Sequence, residues 1–110
     1  MPDRPVHHWG PALWTFLHTV TVIDLEDSDR QFHESKRVIE LLKGISSIIP
    51  CYKCAKHYET FFHTEIEGKD RYQRMELFEI MVEYHNKVNQ RLGKSIYTMN
   101  DARSIWIKTI

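Results

Sequence analysis

The chain has 110 residues, with 15 basic and 15 acidic side chains and a formal net charge of zero. At 42% apolar and 27% charged it has an ordinary soluble globular composition, and its length fits one domain, residues 1–110. The charge balance gives no electrostatic case for nucleic acid or an anionic membrane, and no apolar run approaches the ~20 residues of a membrane span.

The first ten residues, MPDRPVHHWG, hold no apolar signal-peptide core, so the sequence displays no address. A first helix is predicted from about Gly10 to Val22. Pro11 sits in its first turn, and Leu13, Trp14, Phe16, Leu17 and Val20 give it apolar surface. The acidic stretch DLEDSD interrupts the pattern. Ser28 followed by Gln31 reads as a capping box that opens a second helix. Val38, Leu41, Leu42, Ile45, Ile48 and Ile49 recur there at the three-and-four spacing of one buried stripe, which runs until Pro50. A third helix starts at Pro50 or Cys51, with Cys51, Cys54, Tyr58, Phe61 and Phe62 on one face and Gly68 closing the segment. A fourth covers about Arg71 to Leu92, with a stripe of Leu77, Met81, Tyr84, Val88 and Leu92 and a C-cap at Gly93. A short fifth, about Asn100 to Lys108, follows a cap at Thr98 or Asn100. No strand alternation or hairpin signal is present. The fold class is therefore all-α: a four-helix antiparallel bundle with a short fifth helix.

The two cysteines, Cys51 and Cys54, form a CxxC after Pro50. Three readings compete for them. A redox pair is favoured by the helix N-terminus, whose unpaired N–H groups and dipole stabilise a thiolate, and by Lys53 and Lys56 nearby. A thioredoxin-like host is disfavoured, because that class needs strands. A structural zinc would take Cys51, Cys54 and His57 with His63 or His85, but a second CxxC and finger-like histidine spacing are lacking. Two small hydrophobes filling a helix stripe would need no chemistry at all.

Other residues weigh on that choice. Trp14 and His18 lie four apart on one helix face, as do His85 and Asn89, with Asn86 alongside. Asparagines are weak helix formers, and two inside a helix beside a histidine point to a polar ligand there. Rings to stack, amides to read ring edges, and Arg91 and Lys94 to meet phosphate suit a flat heteroaromatic cofactor with a diphosphate.

WGPALWTFLH, CYKCAKH and HNKVNQRLGK, in this order, resemble the Erv/ALR family of FAD-linked sulfhydryl oxidases, over Trp9 to Trp106 and a core of about 9–108. The resemblance implies FAD in the mouth of the bundle, usually in a homodimer. It implies Cys54 as the flavin-facing thiol and Cys51 as the thiol that meets a substrate disulfide or thiol. It further implies flavin contacts from Gly10, Trp14 and His18, from His57 and Tyr58 past the CxxC, and from His85, Asn86, Val88, Asn89, Arg91, Leu92 and Lys94. Tyr97 stands where the family often has Phe, and Trp106 matches the tryptophan near the adenine end. Two departures stand out. Val82 and Met99 occupy the positions of the structural cysteine pair of cellular members, which implies apolar packing in its place. No shuttle cysteine exists. This stripped-down pattern resembles small members from large DNA viruses, and a viral source would imply the host cytoplasm, an assembly site or the virion.

The implied chemistry is thiol oxidation. A protein dithiol or thioredoxin-like carrier reduces Cys51–Cys54, and the electrons reach O2 through FAD, giving H2O2. His57 would tune the thiolate or move a proton. The competing reading is a non-catalytic helical interaction module with an inert or zinc-binding CxxC.

Overall fold

The computed structural model describes residues 4–22, 28–68, 72 and 75–107, with residues 28–35 as backbone only. Five α-helices occur among them: α1 (Val6–Val20), α2 (Ser28–Gly44), α3 (Tyr52–Phe61), α4 (Glu76–Arg91) and α5 (Met99–Trp106). A 3-10 turn, Ile45–Ser47, follows α2, and a π-helical turn, Phe62–Ile66, extends α3. α1 packs on α4 and α5, α4 also packs on α5, and α2 and its 3-10 turn pack on α3 and its π turn. The all-α expectation holds. No helix is long and apolar enough to cross a membrane among the described residues.

Several boundaries differ from those predicted. α1 starts at Val6, one turn early, with Pro5 at the N-cap in extended geometry and the His8 N–H donating to its carbonyl. Pro11 therefore lies inside the helix rather than in its first turn, at the expense of one backbone hydrogen bond. α2 ends at Gly44 rather than running to Pro50. Gly and two serines are poor helix formers, and Ser47 Oγ donates to the Gly44 carbonyl at 2.7 Å within the tightened turn. That change of pitch swings Ile48 out to 67% exposure, and Leu41 is also exposed, so the stripe keeps Val38, Leu42 and Ile45 buried and Ile49 half-buried against the core. The capping box expected at Ser28 and Gln31 lies outside the described side chains.

α4 begins at Glu76, because Met75 before it sits at φ 74°, a left-handed conformation that a non-glycine helix does not continue. Arg71 lies outside the described residues. Leu92 is a C-cap and exposed, not part of the buried stripe. Gly93, at φ 72°, follows where the chain must turn through left-handed space, and it does so without a Cβ penalty. α5 is opened by Thr98, whose Oγ accepts from the Asp101 N–H at 3.0 Å while the Asp101 carboxylate accepts from the Thr98 N–H.

Two apolar clusters hold the bundle. The larger joins Leu17, Leu42, Ile45, Tyr58, Phe61, Phe62, Ile66, Leu77, Met81 and Tyr84. The smaller joins Phe78, Val82 and Ala102, with Met99 and Trp106 against it, and ties α5 to α4. Val82 and Met99 thus share one apolar cluster, the packing implied for the missing cysteine pair.

Candidate functional site

The N-terminus of α3 sets the site. Cys51 is the N-cap, in extended geometry, and its Sγ accepts from the Cys54 N–H at 3.3 Å. A sulfur in that position satisfies a helix-terminal donor and sits at the positive end of the dipole, which favours a thiolate. The two cysteines are disulfide-bonded and partly buried, with Cα atoms 5.2 Å apart. The turn before them is pinned by the residues at the start of α1: the Arg4 N–H, ahead of the helix, donates to the Pro50 carbonyl at 2.9 Å, and Trp9 Nε1 donates to the Arg4 carbonyl at 3.1 Å.

The two cysteines meet different surroundings. A cavity of about 260 Å³ opens beside the pair, and Cys54 lines it while Cys51 does not. Of the residues predicted for the site, Trp14, His57, Tyr58, Val88, Arg91 and Leu92 line it with Cys54. Trp9, Leu13, Lys53 and Tyr84 line it as well and escaped the sequence reading. Tyr84 was legible only as a stripe residue, and Lys53 only as charge near the pair. Tyr58 is anchored by donating its hydroxyl to the Leu42 carbonyl at 2.6 Å, and burial raises its pKa. Burial also raises that of Tyr84, opposed by the charge and hydrogen bond of Arg91. His57 is exposed at the rim. Desolvation, then the charges of Arg91 and Lys53, hold its imidazole below the ordinary value, which favours the neutral ring.

Behind the cavity an aromatic wall crosses from α1 to α4 and α5. Trp14 stacks on His85 with centroids 3.9 Å apart and planes within 8°. Trp106 lies 3.9 Å from the His18 ring, and Tyr97 lies 5.2 Å from both His85 and Trp106. His18 Nε2 and His85 Nδ1 are hydrogen-bonded at 2.8 Å. Burial and then His85 lower the pKa of His18 to about 3, and burial and then Lys94 lower that of His85 to about 4. Both are therefore neutral near pH 7, with one ring donating and the other accepting. His18 is fully buried, and its Nδ1 has no hydrogen-bond partner. An orphaned buried nitrogen costs about 1–3 kcal/mol, which marks the face toward which a ligand would be expected.

The remaining predicted residues divide. Asn86 donates Nδ2 to the Tyr97 carbonyl and accepts from the Tyr97 N–H, both at 2.8 Å, so its amide ties the loop after α4 back onto the helix. Asn89 is buried, and its backbone carbonyl accepts from the Lys94 N–H at 2.8 Å, while Lys94 itself is exposed. Gly10 is buried where an added Cβ would come within 3.2 Å of Val6 Cγ2. The zinc alternative gains nothing from its proposed fourth ligands. His63 pairs with Glu67 at 3.0 Å, and His85 is engaged with His18. No group of three or more metal-ligating side chains occurs among the described residues.

Residues 11–107 match the model of the Erv1 / Alr family. The chain is 33% identical over 106 residues to the mitochondrial FAD-linked sulfhydryl oxidase ERV1 of Saccharomyces cerevisiae, covering 96% of this chain and 52% of that one. It is 26% identical over 106 residues to the FAD-linked sulfhydryl oxidase of African swine fever virus, covering 94% of this chain and 83% of that one. The chain spans about half the length of the plant and yeast relatives it matches. Its fold superposes on the crystal structure of the FAD-binding domain of Saccharomyces cerevisiae Erv1 with a TM-score of 0.75 at 32% identity, covering 94% of this chain and 95% of that one. Sequence, fold and the three motifs agree, and the chain belongs to the Erv1 / Alr family.

Proposed function

We propose that this chain is an FAD-dependent thiol oxidase that forms disulfides in a protein dithiol or thioredoxin-like carrier and passes the electrons to O2, giving H2O2. One observation carries the reading: of the disulfide at the head of α3, one cysteine, Cys54, lines an aromatic-walled cavity and the other, Cys51, does not. The residues fit a flavin. The cavity walls are apolar and aromatic, Arg91 and Lys53 supply cations at its edge, and the buried His18 Nδ1 lacks a partner. Trp14, His18, Tyr58, His85, Val88 and Leu92 would hold the ring systems, and Arg91 and Lys94 the diphosphate.

The protein's own steps follow thiol–disulfide exchange. A substrate thiolate attacks Cys51 Sγ, the Cys51–Cys54 bond breaks, and Cys54 leaves as a thiolate at the cavity. A second substrate thiolate attacks the substrate sulfur of the mixed disulfide and releases Cys51, whose charge is stabilised by the Cys54 N–H and the α3 dipole. Substrate has then lost two electrons, and the pair holds them. His57, at the rim, takes up the proton that a substrate thiol loses when it ionises to the attacking thiolate. FAD, when bound, supplies the two-electron acceptor and the route to O2. A homodimer belongs to the same reading, and a strictly monomeric holoprotein by light scattering would contradict it.

Purified protein should be yellow, its flavin band bleached anaerobically by dithiothreitol and restored by air. A colourless protein that FAD cannot reconstitute would sink the assignment.

A further inference from the structure

Resting on the thiol-oxidase reading, we infer that the surface around Cys51 is a docking site for a protein dithiol whose cysteine is flanked by apolar and acidic residues. These 110 residues hold no third cysteine, so the pair takes its electrons from a thiol outside them. Exchange is in line, so the attacking sulfur approaches Cys51 from the side opposite Cys54.

That approach is bordered by an unusual surface. Tyr52 and Ile48, at 72% and 67%, are the two most exposed large apolar side chains of the described residues, and both lie within three residues of Cys51. The next most exposed, Ile96, reaches 54%. Neither Tyr52 nor Ile48 belongs to a core cluster or lines the cavity. Burying them against a partner would recover apolar area that the isolated fold leaves in water.

Charge selects the partner further. The chain from Leu41 to Tyr58 carries Lys43 and Lys56, besides the cavity-lining Lys53, and no acid. Arg4 is held at the same turn through its bond to Pro50, and the Lys56 ammonium lies 5.6 Å over the Tyr52 ring. Lys56 also pairs with Glu59 at 3.5 Å, in an exposed bridge that offsets part of one charge. The remaining basic character favours acidic flanks on the partner and speeds its encounter.

The test measures anaerobic reduction of the Cys51–Cys54 disulfide, trapped by alkylation and read by mass spectrometry. The probes are dithiothreitol and two reduced dithiol peptides of equal cysteine spacing. One peptide carries Leu, Phe and Glu around its cysteines, and the other Ser and Lys. The apolar acidic peptide should react about tenfold faster or more, and its advantage should shrink as salt rises. In the Ile48→Ser/Tyr52→Ser double variant that peptide should slow about tenfold, the size expected for two lost apolar contacts. Dithiothreitol should react at an unchanged rate. Equal rates for the two peptides, or a double variant slowed equally toward dithiothreitol, would overturn the docking site. Exchange does not require flavin. A pair that is reduced with the predicted preference while no oxygen is consumed would therefore refute the oxidase reading and leave the docking site standing.

Discussion

The α2–α3 half of the bundle and the half built by α1, α4 and α5 are both well buried, but their interiors differ in kind. Between α2 and α3 the buried groups are Val38, Leu42, Ile45, Tyr58, Phe61, Phe62 and Ile66, and the Tyr58 hydroxyl is satisfied by the Leu42 carbonyl. Between α1, α4 and α5 lie two imidazoles, His18 and His85, beside Asn89 and Thr21. There one nitrogen, His18 Nδ1, has no partner. Burial of polar groups costs stability unless they are hydrogen-bonded, so a fold selected for stability alone would not build the second interior. The first half reads as support and the second as a surface built for something else, with Cys54 on the seam between them.

The contrast can be broken experimentally, and the seam gives the largest effect. Cys54→Ser should abolish dithiothreitol-driven oxygen uptake and any long-wavelength thiolate–flavin band, with the helical circular dichroism intact. Retained activity would put the reactive sulfur elsewhere. In the supporting half, Leu42→Ala should cost about 2–5 kcal/mol in urea unfolding, because Leu42 is fully buried and its removal leaves a void. Flavin should still bind the folded fraction.

Acid should act on the other half. His18 and His85 have pKa values lowered to about 3 and about 4 in the folded chain, against 6.5 when unfolded. The unfolded state therefore binds more protons. The stability contributed by neutral burial is fully present above pH 6.5 and is lost as pH falls toward 4. The slope is at most about 1.4 kcal/mol per pH unit for each imidazole. Thermal melts of the apoprotein from pH 7 to 4 check this, and His18→Leu should flatten the curve. The same variant gives the smallest stability change, within about 1 kcal/mol at pH 7, because it removes one orphaned nitrogen and exposes another on His85. Its flavin affinity should fall about tenfold or more. A large stability loss with unchanged flavin affinity would make His18 a core residue like Leu42 and erase the contrast.

Legibility in the sequence followed local chemistry. α3, α5 and the end of α4 were readable because Pro50, Thr98 and Gly93 act on their immediate neighbours. The end of α2 was misread, because Ile48 and Ile49 continue the helical spacing while Gly44, Ser46 and Ser47 tighten the pitch. Trp9, Lys53 and Tyr84 were missed because their role depends on which helices face each other. For Asn86 the sequence offers an amide beside the site, and the tertiary contact it could not show is that both polar atoms bond the backbone of Tyr97.

By itself the sequence determined an all-helical chain, a cysteine pair at a helix start, and a set of aromatic, imidazole and amide residues spaced to share faces. Those are consequences of periodicity and capping, which act within a few residues. Only the tertiary structure decided that Cys54 and not Cys51 lines the cavity, that Trp14 stacks on His85, that His18 is buried with a nitrogen unpaired, and that Tyr52 and Ile48 stand exposed beside Cys51. Each of these depends on contacts between segments far apart in the chain, and on a change of helical pitch at Gly44, which spacing alone does not encode.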